Sequence, residues 1–277
     1  MHSVVCVKQV PDTTQVRIDP ETGSLIRQGI PSVINPFDLH AIEAALAIRD
    51  RHGGLVTALC MGPPQAEESL RKVLGYGADR AVLLTDRAFA GADTLATTQA
   101  LAVAIRKIGQ EQTVDLVICG KQSIDGDTGQ VGPGLARRLD LSQLTYVCSF
   151  EGLDLDKSVV RAWRQREDGR ELMEADLPAA LTVTETCNRI RYASLPAIIA
   201  AEEKEIETWT AGDLEVDRAK LGLKGSPTRV KKIFGPPPRQ PGEILTDTEP
   251  EPSRAAQLLM DRLQDRGLKF TGGGANG

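Results

Sequence analysis

Apolar runs of strand length alternate with helical stretches over the first 140 residues. Residues 3–9 (SVVCVKQ), 55–61, 80–85 and 114–119 are such runs. Segments apolar on both faces belong to strands covered from both sides, as in a parallel sheet. Between them the spacing predicts helices: one opening at Asn35-Pro36, one over residues 63–74, one from Asp93 to about residue 108, and one over residues 131–139. Asn35 is the expected N-cap, and Pro36 stands at the first helical position, where a missing N–H does no harm. Ala41, Ile42, Ala45, Leu46 and Ile48 give that helix a narrow apolar face, and Gly53-Gly54 ends it. The βαβ repetition predicts a doubly wound α/β fold with a mostly parallel, Rossmann-like sheet.

Two stretches break the pattern. Residues 16–27 read as a small hairpin around Pro20-Glu21-Thr22-Gly23. After residue 145 come short strands: residues 159–165 and 171–177 flank Glu167-Asp168-Gly169, a hairpin turn, and residues 179–185 follow as a third. They predict a short antiparallel addition to the same domain, or its edge. Pro236-Pro237-Pro238-Arg239-Gln240-Pro241-Gly242 reads as a stiff spacer. Beyond it residues 253–266 are amphipathic, with Ala256, Leu259 and Leu263 on one stripe. The tail, residues 271–277, is too glycine-rich to predict packed structure. The organisation expected is a nucleotide-binding α/β domain over residues 1–234, then a spacer and C-terminal helix over residues 235–277 that docks on a partner.

Composition narrows the function. A net charge of −5 argues against nucleic-acid binding. No window approaches the ~20 apolar residues of a membrane helix. Met1 to Val5 enter an apolar strand with no basic leader, so a cytoplasmic protein that is not an integral membrane protein is expected. Cys6, Cys60, Cys119, Cys148 and Cys187 contain no C-x-x-C pair and predict reduced core thiols rather than a metal site. Three scattered histidines, His2, His40 and His52, argue against a Ser-His-Asp hydrolase.

The stretch richest in chemistry runs Gly120-Lys121-Gln122-Ser123-Ile124-Asp125-Gly126-Asp127-Thr128-Gly129-Gln130-Val131-Gly132-Pro133. It lies between the end of a parallel strand and the start of a helix, where doubly wound sheets bind nucleotides. Gly126, Gly129 and Gly132 let backbone N–H groups approach a phosphate, and the helix N-terminus adds partial positive charge. Asp125 and Asp127 repel phosphate; they suit turn capping, ribose hydroxyls or an adenine amine. Lys121 is followed by Gln122, which excludes a Walker loop, and Val10-Pro11-Asp12-Thr13 after the first strand is no G-x-G-x-x-G turn.

This loop closely resembles the nucleotide loop of electron-transfer flavoprotein β subunits. Further resemblances run in order along about 200 residues: Val7 to Asp12, Asn35-Pro36-Phe37-Asp38, Met61-Gly62-Pro63, Gly77-Ala78-Asp79-Arg80, the stretch RELMEADLPAALT over residues 170–182, and Tyr192-Ala193-Ser194-Leu195-Pro196. The resemblance implies a Rossmann-like domain related to the adenine-nucleotide α hydrolase group, and an α-subunit partner carrying another FAD. It implies nucleotide contacts from Cys6, from Asn35, Pro36, Phe37 and Asp38, and from Met61. From the loop it implies contacts from Ser123, Ile124, Asp125, Gly126, Asp127, Thr128, Gly129, Gln130, Val131, Gly132 and Pro133. Leu195 corresponds to the family's apolar anchor for a dehydrogenase or quinone oxidoreductase. No catalytic acid or nucleophile is implied, because a flavin does the redox chemistry.

Two departures sharpen the expectation. AMP-binding members carry an Asp-rich loop with Asn where this chain has Gly129. Gly126 and Gly129 instead resemble the branch whose β subunit binds a whole FAD and takes hydride from NADH for electron bifurcation; AMP is the alternative. Members that face acyl-CoA dehydrogenases carry a lysine cluster where this chain reads Ala200-Ala201-Glu202-Glu203-Lys204-Glu205, which changes the steering of an acidic partner. Two other classes remain in view: a universal-stress-type nucleotide sensor, and an ATP-pyrophosphatase, whose Ser-Gly-Gly-x-Asp-Ser loop is absent here.

Overall fold

Strand β1 (His2–Val7) is buried along its whole length and is the centre of seven parallel strands. The computed structural model describes residues 1–12, 17–18, 25–26, 31–231, 242, 244–245 and 251–268. Two short antiparallel pairs come next, β2 (Gln9–Pro11) with β5 (Ser32–Ile34), and β3 (Arg17–Ile18) with β4 (Leu25–Ile26). The predicted 16–27 hairpin is thus present in its paired ends, and its turn lies outside the described residues. Then follow α1 (Pro36–His52), β6 (Leu55–Met61), α2 (Glu67–Tyr76), β7 (Arg80–Leu84), α3 (Thr94–Glu111), β8 (Leu116–Gly120) and α4 (Val131–Leu139). β9 (Ser142–Asp154), β10 (Val159–Gln165), β11 (Arg170–Asp176), β12 (Ala179–Val183), α5 (Leu195–Glu203), β13 (Glu207–Trp209) and α6 (Gly222–Gly225) complete the larger unit, Met1–Ile233.

The sheet order is β11-β10-β9-β12-β8-β1-β6-β7-β13. From β1 the chain moves outward through β6 to β7, then crosses back so that β8 pairs with the other side of β1. The order therefore reverses between β1 and β8. Alternate residues of β1 serve opposite faces: Val5 and Val7 join Ile42 and Leu46 of α1 with Leu70 and Leu74 of α2, while Val4 and Cys6 join Leu101 and Ile105 of α3 with Leu135 of α4. Each such fully buried aliphatic side chain contributes roughly 1.5–3 kcal/mol. The predicted doubly wound sheet is what forms.

Three expectations need correction. The 179–185 segment is no antiparallel strand: β12 lies parallel between β8 and β9, and all five of its residues are buried. Its run Ala-Ala-Leu-Thr-Val is apolar on both faces, which suits the sheet interior rather than an edge. The stretch after residue 145 begins not with a short strand but with the 13-residue β9. Its first part pairs in parallel with β12 and its later part antiparallel with β10, so the ribbon β9–β10–β11 grows out of the main sheet. Finally, Asn35 holds the N-cap position without a side-chain capping bond, because its amide is engaged across the sheet.

The second unit is Phe234–Gly277. Its helix α7 (Pro252–Asp265) matches the amphipathic stretch, and Leu259 and Met260 on it are exposed. Most of the proline spacer and the glycine-rich tail lie outside the described residues. Among the described residues no helix is long and apolar enough to cross a membrane.

Candidate functional site

The strand order reverses between β1 and β8, the place where doubly wound sheets carry their ligand crevice, at the carboxyl ends of those strands. From α1, the Asn35 side chain, only 1% exposed, donates to the Gln122 carbonyl (2.8 Å) and accepts from the Ile124 N–H (3.2 Å). One turn on, buried Asp38 accepts the Lys8 N–H (2.8 Å) and the Gly120 N–H (3.2 Å). The start of α1 thus staples the end of β1 to the end of β8. Burial pushes the Asp38 carboxyl up to about 7, against the pull of Asn35 and the two N–H donors.

The loop of residues 121–130 folds on itself. The Ser123 carbonyl accepts the N–H groups of Gly126 (3.2 Å) and Asp127 (2.8 Å), and Asp127 takes φ +52 with its carboxylate accepting from Gln122 Nε2 (2.9 Å). Asp125 receives Lys8 Nζ at 2.7 and 2.8 Å. Partial burial alone would raise the Asp125 carboxyl, but Lys8 and Ser123 outweigh it, and its pKa lies below the ordinary value. Lys121 pairs with Glu185 (3.0 Å) and lies 4.6 Å from the centre of the Phe37 ring. Thr94, at the start of α3, donates its hydroxyl to Gln130 (2.7 Å).

The glycines of this stretch divide into two kinds. A Cβ on Gly132 would meet Thr182 Cγ2 at 2.2 Å, and one on Gly120 would meet Asp38 Oδ1 at 2.5 Å and Phe37 Cβ at 2.6 Å. Packing demands glycine at both. At Gly126 a Cβ would stand 3.5 Å from Ser123 Oγ, an ordinary contact, and at Gly129 (φ +62) 3.3 Å from the Lys121 carbonyl. Among the described residues, the N–H groups of Thr128, Gly129, Gln130, Val131 and Gly132 donate to no protein acceptor. Five donors at a helix N-terminus, in a loop left uncrowded at Gly126, fit an anionic group such as a nucleotide phosphate.

The crevice gathers Asn35, Phe37, Asp38 and the Ser123 to Pro133 loop. Cys6, at the end of β1 beside Cys119, is buried, and Met61 ends β6 one residue past Cys60, which pairs with Val7. All five cysteines are free thiols. The neighbouring Cys119 thiol and burial push Cys6 well above its ordinary pKa, and burial pushes Cys60 up to about 12. Sequence reasoning missed Lys8, Lys121 and Gln122. A lysine after a strand carries no local signal, and the partners of Lys8 lie 115 and 117 positions away.

Leu195 belongs to a different surface. It is 69% exposed at the start of α5, with Tyr192 at 98% and Ile198 and Ile199 also exposed. The segment leading to it is tied along α1. Asn188 donates to the His40 carbonyl (2.9 Å), Arg191 forks onto buried Glu43 (2.8 and 3.0 Å), and its other arm reaches Asp50 (2.9 Å).

Comparison with known proteins gives the family. Residues 22–214 match the electron transfer flavoprotein domain. The chain is 52% identical to "Protein FixA" of Bradyrhizobium diazoefficiens over 265 residues, covering 95% of this chain and 91% of that protein. It is 51% identical to "Electron transfer flavoprotein subunit beta" of Thermoanaerobacterium thermosaccharolyticum over 267 residues, covering 96% and 99%. The protein of the same name from Clostridium acetobutylicum is 47% identical over 265 residues, covering 96% and 98%. With its parallel sheet, its switch-point crevice and these relatives, the chain belongs to the electron transfer flavoprotein family, as a β subunit.

Proposed function

We propose that this β subunit holds a whole FAD in the crevice, accepts electrons from NADH and relays them to the flavin of an α subunit, within a bifurcating complex. The observation that carries FAD over AMP is the contrast among the glycines. Packing accounts for Gly120 and Gly132, but it does not demand glycine at Gly126, where a Cβ would make only ordinary contact. The missing side chain leaves room at the tip of the loop, and room is what a pyrophosphate and the groups beyond it need. The free N–H groups of residues 128–132 would receive the phosphates, with the staple through Asn35 and Asp38 keeping the loop in place for them. FAD supplies the hydride acceptance and single-electron release when bound.

Two surfaces suit the relay. Leu195 with Ile198 and Ile199 offers an apolar face to a dehydrogenase or quinone oxidoreductase, and Glu202, Glu203 and Glu205 beside it would favour a partner less acidic than those met by a lysine cluster. Helix α7, with Leu259 and Met260 exposed, suits docking on the α subunit. Site and partners are consistent with work in the cytoplasm.

Mass analysis of nucleotide released from the co-purified complex tests the cofactor: FAD in excess of the α subunit's own supports the reading, and one flavin accompanied by AMP overturns it. Gly129→Asn keeps a left-handed backbone that Asn tolerates but crowds the Lys121 carbonyl. It should bring the flavin count per heterodimer down toward that of the α subunit alone. Anaerobic NADH should bleach the β-subunit flavin within milliseconds to seconds; a complex that stays yellow with NADH and NADPH refutes the donor.

A further inference from the structure

We infer that Lys8 is the cation that recognises the nucleotide's phosphates, and that Asp125 holds it in place until the phosphate arrives. This inference rests on the nucleotide reading of the crevice.

Lys8 is fixed at its root by buried partners and held at its tip by an exposed loop carboxylate. Its N–H donates to Asp38 (2.8 Å) and its carbonyl accepts the Asn35 N–H (2.9 Å), so the backbone is pinned at the carboxyl end of the central strand. The side chain, 48% exposed, then crosses the crevice to Asp125 (2.7 and 2.8 Å) and to within 3.5 Å of Ser123 Oγ. Charge makes that placement significant. The loop leaves its N–H groups at residues 128–132 without a protein acceptor among the described residues, as an anion site needs, yet it carries two carboxylates of its own, Asp125 and Asp127. An incoming phosphate would meet their repulsion unless a cation stood beside them.

Two cations stand among the described residues that build the crevice. Lys121 is committed, paired with Glu185 and lying over the Phe37 ring. Lys8 has a solvent-exposed pair, of the kind worth little and readily exchanged. The pyrophosphate of FAD offers the ammonium two negative charges in place of the one on a carboxylate. Once Lys8 turns to the phosphate, the Asp125 carboxylate is released as an acceptor for ribose hydroxyls. The Lys8–Asp125 pair therefore cancels the Asp125 charge when the crevice is empty and divides into a phosphate contact and a sugar contact when it is filled.

The test is titration calorimetry on the full chain in its purified complex, after release of bound nucleotide, with adenosine, AMP and ADP as probes. Lys8→Met should weaken ADP by about ten- to a hundredfold and change adenosine by less than about threefold, since a charge-assisted bond is lost only where phosphate is present. Lys8→Arg should restore most of that loss. Asp125→Asn should leave ADP binding as tight or tighter, because it removes the competing anion. Melting of Lys8→Met should match wild type, which separates a binding defect from a folding one. An unchanged ADP-to-adenosine ratio in Lys8→Met overturns the inference, and so does an Asp125→Asn variant that loses ADP as severely as Lys8→Met. Failure of the underlying reading looks different: the wild type would then bind none of the three probes.

Discussion

Around the crevice, Asn35 and Asp38 are buried, and their side chains hold backbone groups of Lys8, Gly120, Gln122 and Ile124. On α5, Leu195, Ile198 and Ile199 turn toward solvent. The first region uses its polar side chains as internal fasteners and leaves backbone N–H groups without a protein acceptor among the described residues. The second turns its apolar side chains to solvent and closes its backbone in a helix. Changes at the buried fasteners Asn35 and Asp38 should therefore strike the fold and the cofactor together. Changes on α5 should strike association and leave the fold alone.

The largest effect that would sharpen this contrast belongs to Asp38. Burial moves its carboxyl from an ordinary value near ~4 up to about 7. A raised acid keeps its proton in the folded chain, so its contribution is full below the unfolded value and is lost as pH rises through the folded one. At about 1.4 kcal/mol per tenfold in acidity, that displacement bounds the effect near ~4 kcal/mol. The stability advantage of wild type over Asp38→Asn should shrink as pH rises from ~4 to ~7, read from urea midpoints. A gap that stays constant across that range would show that burial leaves the Asp38 carboxyl at its ordinary value.

Next comes Gly132→Val, which forces side-chain atoms into Thr182. Overpacking of this kind should cost about 1–3 kcal/mol and lower the melting temperature by several degrees. A paired change, Gly132→Ala with Thr182→Ser, should recover part of the loss by removing the methyl that Cβ would strike. Melting of the single variant at the wild-type temperature would mean that α4 can shift away from β12, and the crevice would be softer than its contacts imply.

The smallest effect on stability belongs to α5. Leu195→Glu should change unfolding free energy by less than about 0.5 kcal/mol, as exposed substitutions do. It should nonetheless slow electron delivery in a mixture with the partner. A large loss of stability there would erase the contrast, because it would make Leu195 a structural residue.

Much of the crevice was legible in the sequence, and the reason is local chemistry. The run LVICG, the glycines after it and the helix over residues 131–139 announce a strand, a turn and a helix by composition alone. Gly53 after α1 likewise ends its helix as its type suggests, at φ +73. What stayed hidden depends on contacts between distant positions. Asn35 has the composition of a cap, but a bond to a loop 87 positions away outcompetes the local one. β12 follows a hairpin and so resembles its third strand, yet its fully apolar run places it between β8 and β9. The pairing of Lys8 with Asp125 has no periodicity at all. It exists only because the crossing from β7 to β8 brings two carboxyl ends side by side.

Helix α1 touches both regions compared above. Its first turn carries Asn35 and Asp38 into the crevice, and its flank grips the approach to α5 through His40, Glu43 and Asp50. As an engineering part it is a strut of 17 residues, about 25 Å long, with fittings along its length. A strut converts two separate attachments into one alignment. Whatever grasps the residues around Leu195 inherits the orientation of the crevice without having to sense it. Exposed side chains on α5 can then be exchanged to suit a new partner while the aim of the site is preserved.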